Sequence, residues 1–253
     1  MWGESEIGLK PTYLAYLRLK YCLEDLKKVQ GVILDAGCGG GGFAKAVKHY
    51  RSGLKVVGVD SNREAIKKVS KNPQGVEFRV GSLYKLPFEK ESFDVVVVAD
   101  VLEHLESPEK AIQEINRVLK KGGLFHAFIP LEGELYALHF WFERIGWRFK
   151  EDMVGHIQKF KFSQLKKLLA DSRFKIEKTR FSVHLLGQIV DVSYFSFFSL
   201  LKKDFEAGLE SRLRDKPLLR FLKEAITIVI NLESQLLSFL PAAGVHLLCR
   251  KRN

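Results

Sequence analysis

Cysteine is scarce in this sequence: among 253 residues there are three, Cys22, Cys38 and Cys249. No two form a CxxC pair. An odd, scattered set excludes a disulfide framework and a structural zinc site, and it suits a reducing compartment. No uncharged apolar run is long enough to span a bilayer; VSYFSFFSLL over 192–201 falls well short. Internal repeats and low-complexity linkers are also missing. The opening decapeptide MWGESEIGLK reads as neither a signal nor a transit peptide, which predicts a cytoplasmic protein.

Charge of one sign is in excess, at +11. The basic residues are spread along the chain rather than clustered, so a nucleic acid partner stays an alternative that is not favoured. The apolar share of 46% and charged share of 28% are those of a globular protein. The length suffices for one domain with a sizeable core.

Glycine is concentrated where the chain reads VILDAGCGGGG, residues 32–42. A short apolar strand there runs into a turn with almost no side chains, and a helical pattern follows. Strand, glycine turn and helix form the layout of a nucleotide site, where backbone N–H groups approach a ligand. Asp60 ends the next strand, where an acid accepts hydrogen bonds from ribose hydroxyls. Gly37, Gly39 and Gly42 also fit GxGxxG, so a nicotinamide oxidoreductase is an alternative. Asp35 sits where a dehydrogenase strand usually keeps an apolar residue. Tyr16 and Lys20 have YxxxK spacing but precede the fingerprint, on an amphipathic helix.

Beyond an opening helix over 11–30, strands are predicted at 32–35, 54–60, 76–80, 93–99, 124–129, 174–181 and 243–250. Helices fall between the first five, the third and fourth strands excepted. The unbroken apolar run FDVVVVA (93–99) marks a central parallel strand buried on both faces. The alternation predicts an α/β fold, a mostly parallel sheet with helices on both faces. One domain is expected over 1–253. An aromatic insertion at 131–160 and a helical insertion at 183–240 interrupt it. In the latter, Leu218, Leu222, Ala225, Val229, Leu232, Leu236 and Leu240 share one helical side, making it amphipathic. It is read either as cover for the sheet or a dimer partner, or as a hydrophobic acceptor tunnel or peripheral membrane contact.

These motifs together resemble the class I S-adenosylmethionine-dependent methyltransferases, in particular the small-molecule type that includes ubiquinone-biosynthesis enzymes. DAGCGGG matches the family's D-x-G-x-G-x-G at Asp35, Gly37, Gly39 and Gly41. GVDSN carries the acidic strand end at Asp60. LPFEKESFDVVVVADVLEHL and EINRVLKKGGLF match the blocks around strands four and five, and GHIQKFKFSQLKKLLADSRFKI the segment after the substrate region. The resemblance implies a seven-stranded Rossmann-like sheet whose last strand is antiparallel. It implies S-adenosylmethionine as cofactor and S-adenosylhomocysteine as product. Asp35, Gly37, Cys38, Gly39 and Gly41 would line the methionine part, with Asp60 at the ribose. Ser61, Ser82 and Leu83 would lie at the adenine, and Asp100 and Val101 after strand four. Ser82 departs from the family, which often has Asp there.

His104 and His156 are the candidate bases for a hydroxyl or amine acceptor, because imidazole titrates near neutrality. The acceptor wall is assigned to Tyr136, His139, Phe140 and Trp141. Ligand spacing implies no metal. The expected reaction is methyl transfer by in-line displacement to a small, hydrophobic or lipid-like acceptor. RNA or protein methylation and a cofactor-binding module without turnover remain alternatives.

Overall fold

Strand β4 (Phe93–Ala99) lies at the centre of the sheet, and its valines alternate between two cores. Val95 and Val97 face one cluster with Leu19, Cys22, Ala44 and Val47. Val96 and Val98 face the other with Ile112, Ile115, Leu165 and Leu169. A strand with period-two side chains covered on both faces must be apolar throughout, which is why FDVVVVA has no polar alternation.

The computed structural model describes residues 8–201 and 216–252. The other strands are β1 (Val32–Ala36), β2 (Lys55–Asp60), β3 (Val76–Val80), β5 (Leu119–Pro130), β6 (Phe174–Ser182) and β7 (Gly244–Lys251). They form one seven-stranded sheet in the order β3-β2-β1-β4-β5-β7-β6. β1 to β5 pair in parallel, and β7 runs antiparallel to both β5 and β6. The predicted Rossmann-like sheet with an antiparallel last strand is therefore present. The chain builds outward from β1 through β2 to β3, then returns to β4 on the other side. The carboxyl ends of β1 and β4 thus flank the switch point where such sheets bind ligands.

Helices α1 (Tyr16–Asp25) and α2 (Gly42–Tyr50) cover one face, and α4 (Pro108–Val118) and α7 (Phe162–Asp171) the other. α3 (Arg63–Val69) follows β2 and starts on Asn62, whose Oδ1 accepts the Ala65 N–H at 3.0 Å. α1 is shorter than the predicted 11–30, because the chain from Pro11 enters it through turns. β5 is longer than predicted. Phe93 pairs Leu119 and Val95 pairs Leu124, so Lys120–Gly123 bulges inside the strand instead of preceding it.

The aromatic segment 131–160 holds α5 (Leu138–Arg144) and α6 (Phe149–Val154). The predicted insertion over 183–240 contains α8 (Leu185–Leu201) and α9 (Pro217–Leu236), and its residues 202–215 lie outside the described residues. α9 is amphipathic in an unusual sense. Its buried residues are Thr227, Asn231 and Ser234, while Leu218, Leu222, Val229, Leu232 and Leu236 are exposed. The polar side meets the fold through hydrogen bonds. Asn231 Nδ2 donates to the carbonyls of Pro11 and Tyr13, and Ser234 Oγ accepts the Val183 N–H. No helix among the described residues is long and apolar enough to cross a membrane.

Candidate functional site

The glycine turn leaves β1 through three residues with left-handed backbone: Gly37 at φ 87°, Gly39 at 51° and Gly41 at 76°. Any other L residue would be strained in that conformation. Space is short as well. A Cβ on Gly37 would lie 2.5 Å from Val101 Cγ2, and one on Gly41 would lie 2.6 Å from Phe78 Cζ. The turn is tied to β2: the N–H groups of Gly37 and Cys38 both donate to the Val59 carbonyl, at 2.8 and 3.0 Å. Asp60 completes the clamp. Its Oδ2 accepts the Gly39 N–H and its Oδ1 the Asn62 N–H, both at 2.8 Å. Asp60 therefore shapes the turn besides standing at the predicted ribose position. Cys38 is buried and packs on Ile66, Val69 and Phe78, a packing role.

Asp35 lies under this turn, buried, with Oδ2 lacking a hydrogen-bond partner. Burial, reinforced by the nearby Asp60 charge, pushes its carboxyl up to about 7. A buried carboxylate left one partner short is what a cationic ligand group satisfies. Beyond the ends of β2 and β3, Ser61 is exposed and Ser82 and Leu83 begin the next loop. Gly81 N–H donates to the Asp60 carbonyl at 2.9 Å, which holds these two loops side by side. Ser82 Oγ accepts the Tyr84 N–H at 3.2 Å.

At the end of β4, Asp100 takes a left-handed backbone at φ 54°. Its carboxylate meets Arg18 of α1 in a two-point pair, Nε to Oδ2 at 2.5 Å and Nη2 to Oδ1 at 2.8 Å. The Arg18 guanidinium also lies 4.0 Å above the Phe128 ring. Arg18 was not among the residues expected from the sequence. Val101 fills the space that Gly37 leaves open. The glycine cradle, the orphaned Asp35 oxygen and the acidic lean of Asp35, Asp60 and Asp100 fit a nucleoside carrying ammonium and sulfonium charges.

A single 3-10 turn, Leu102–His104, follows and brings the two predicted bases together. The rings of His104 and His156 stand edge to face with centroids 4.8 Å apart. His104 Nδ1 is 3.0 Å from the Gly155 carbonyl. That oxygen can only accept, so Nδ1 carries the hydrogen and Nε2 the lone pair. Partial desolvation of its ring lowers the His104 pKa from its ordinary value, although the residue is exposed. His156 Nδ1 is 2.9 Å from Glu132 Oε1. Burial opposes the Glu132 charge, but Lys150, His156 and Lys159 hold its carboxyl well below the usual range. Glu103, between these groups, is wholly buried with both oxygens unpartnered. Burial and the Asp100 charge hold its pKa well above normal.

The expected acceptor wall divides. Tyr136 and Trp141 are exposed and Phe140 is half-buried under Arg144. His139 is buried, and its Nε2 lies 3.0 Å from Asp191 Oδ2 of α8. Lys150 of α6 joins Asp191 to Glu132 at 2.7 and 2.9 Å. This ionic net fastens α5, α6 and α8 together beside the two histidines. Glu132, Lys150 and Asp191 carried no motif, and their partners lie too far along the chain for spacing to reveal them.

Residues 34–127 match the family model of a methyltransferase domain. An uncharacterized methyltransferase of Schizosaccharomyces pombe is 37% identical over 114 residues, which cover 41% of each chain. A ubiquinone biosynthesis O-methyltransferase of Bartonella tribocorum is 33% identical over 125 residues, 45% of this chain and 50% of that one. The matched part thus spans half or less of either relative. Among solved structures, a geranyl diphosphate methyltransferase in complex with S-adenosylmethionine aligns with a TM-score of 0.59 over 94% of this chain and 85% of that one. At 17% identity that likeness is one of fold. Over residues 34–127 the chain matches a methyltransferase domain, and this stretch is similar to class I S-adenosylmethionine-dependent methyltransferases.

Proposed function

We propose that this protein transfers a methyl group from S-adenosylmethionine to a small hydrophobic acceptor bearing a hydroxyl group. The observation that carries the reading is the clamp of Asp60 on the glycine turn, set beside the buried, under-partnered Asp35. When bound, S-adenosylmethionine supplies a sulfonium-linked methyl carbon with a good leaving group already attached. The chain's own work is then alignment and dehydration. The Gly37–Gly41 backbone closes on the cofactor, with Asp60 at the ribose and Ser61, Ser82 and Leu83 at the adenine. Asp35 favours the positive end. The Arg18–Asp100 pair fixes the loop after β4, from which Val101 and His104 project. His104 and His156 serve to unmask the acceptor oxygen.

The acceptor side is assigned to segments 131–160 and 183–240, the two insertions on the methyltransferase domain. Tyr136, Phe140 and Trp141 provide apolar area for an acceptor, with His139 holding the wall in place through Asp191. Named relatives support an apolar acceptor. Besides the ubiquinone enzyme, a sterol 24-C-methyltransferase of Gibberella zeae is 33% identical over 110 residues. The outward apolar side of α9 supports delivery of such an acceptor from a membrane surface, on which a cytoplasmic protein would rest peripherally.

The test uses cofactor with a radioactive methyl group, incubated with the protein and a cell extract, followed by separation into lipid, polar, RNA and protein fractions. Label in the organic fraction is expected. Label in RNA or protein would overturn the acceptor class. Cofactor binding with no label in any fraction would favour a binding module.

A further inference from the structure

Three groups meet at the mouth of the site: Glu103, His104 and His156. One donor atom from each lies within 4.8 Å of the others. Glu103 is fully buried, and neither of its oxygens has a hydrogen-bond partner. His156 Nε2 lies 3.9 Å from Glu103 Oε1, beyond hydrogen-bond reach. A buried carboxyl group without hydrogen-bond partners is costly, and proteins keep such groups where something else completes them. Competing partners are already engaged. Arg18 is held by Asp100, and Lys150 and Lys159 by Glu132.

Both imidazoles are prepared as ligands. His104 gives its Nδ1 hydrogen to the Gly155 carbonyl, and His156 its Nδ1 hydrogen to Glu132. Each therefore keeps its lone pair on Nε2. This is the outer arrangement that orients metal-binding histidines, with a carbonyl or carboxylate fixing the far nitrogen. The backbone is pinned as well: the Glu103 carbonyl accepts the N–H groups of Ile157 and Gln158, at 3.0 and 2.9 Å. That clamp holds the His156 segment against the 3-10 turn. His104 is exposed, so the cluster is closed behind by Glu103 and open in front.

We propose that Glu103, His104 and His156 bind one divalent transition-metal ion, of the zinc, manganese or cobalt type, with positions left open for the acceptor's hydroxyl. Two imidazoles and one carboxylate favour such ions over magnesium or calcium. Three protein ligands with an open side mark a catalytic rather than a structural centre. The inference rests on the methyl-transfer reading only for its role. There the ion lowers the hydroxyl pKa, and the proton leaves to solvent. The oxygen then forms its bond to the methyl carbon as the carbon–sulfur bond breaks, its electron pair returning to sulfur.

The test takes untagged protein, stripped with chelator and dialysed, and titrates it with Co2+ while following visible absorption and calorimetry. One Co2+ per chain is expected. His104→Ala, at an exposed position that tolerates truncation, and the near-isosteric Glu103→Gln should each weaken binding at least about tenfold. No binding by the wild type, or equal binding by both folded variants, would overturn the site. S-adenosylmethionine binding is measured on the same samples. Co2+ binding without cofactor binding supports the metal site and removes the methyl-transfer reading. Cofactor binding without Co2+ binding removes the metal site alone.

Discussion

Asp60 Oδ2 accepts the Gly39 N–H at 2.8 Å, so the acid at the end of β2 holds the turn at the end of β1. The two strands run parallel with Ala36 opposite Val59, which brings their carboxyl ends level. Asp60→Ala removes both this bond and the one to Asn62. Each charged hydrogen bond contributes about 1.5–3 kcal/mol. Calorimetry should find S-adenosylmethionine binding weakened by about tenfold or more. Asp60→Asn, which keeps one acceptor oxygen, should fall between that variant and the wild type. Unchanged affinity in Asp60→Ala would place the cofactor elsewhere.

Gly37→Ala combines two faults. The residue is at φ 87°, and its new methyl group would sit 2.5 Å from Val101. A loss of about 1–3 kcal/mol in unfolding free energy is expected from backbone strain and crowding. Adding Val101→Ala should relieve the crowding and leave the backbone term. Urea titration of the two variants separates these contributions. A double variant no more stable than Gly37→Ala would show that crowding contributes nothing.

The Asp35 carboxyl, pushed up to about 7 by burial and the Asp60 charge, makes cofactor binding pH-dependent. Its folded pKa exceeds the unfolded value of about 3.9. The folded chain therefore binds the extra proton between these values, and that stabilising contribution is lost as pH rises through about 7. A cationic cofactor prefers the ionised carboxylate. Affinity should accordingly rise as pH rises through about 7, while the stability of the cofactor-free protein falls. Asp35→Asn should flatten both profiles. Parallel profiles in wild type and variant would assign the titration to another group.

The sheet was legible because its signals are local. Val32–Ala36, Lys55–Asp60 and Phe93–Ala99 announce themselves as apolar runs, and the glycines between the first two announce the turn. At the candidate site the sequence signals were confined to the carboxyl ends of β1, β2 and β4, where the separate stretches DAGCGGG, GVDSN and ADVLEHL supply the residues. Arg18 reaches Asp100 across 82 positions, and Glu132 reaches His156 across 24. Such pairs depend on how α1 and the 131–160 segment fold over the sheet, which no spacing rule contains. Periodicity likewise identified two sides of α9 without saying which side faces inward.

His246 of β7 is buried between Tyr21 and Phe128, with Nε2 at 3.0 Å from Ser182 Oγ and Nδ1 unpartnered. Burial, followed by the charges of His126, Arg18 and Arg180, holds its pKa well below normal despite Asp25. Below about 6.5 the unfolded chain takes up a proton that the folded chain refuses. The unfolded state then binds more protons, so stability falls as pH drops below about 6.5. His246→Gln keeps a partner for Ser182 and cannot titrate. Its stability should fall less steeply between about pH 6.5 and 5, by up to one proton's worth of slope. Identical slopes in the two proteins would exclude His246 as the source.

α9 presents Leu222, Val229 and Leu232 outward and Thr227, Asn231 and Ser234 inward. Substitutions on its two sides should therefore act oppositely to those on an ordinary amphipathic helix. Val229→Glu alters an exposed position and should change unfolding free energy by no more than about 0.5 kcal/mol. Asn231→Leu strips the Pro11 and Tyr13 carbonyls of their donor. It should cost about 1–3 kcal/mol, although it makes the helix more apolar. A second readout separates surface contact from folding. Pelleting with vesicles of mixed neutral and anionic lipid should retain Asn231→Leu, whose apolar side is intact, and release Val229→Glu. If both variants pellet like the wild type, α9 does not touch the membrane. If Val229→Glu is instead the destabilised one, the helix packs the other way round.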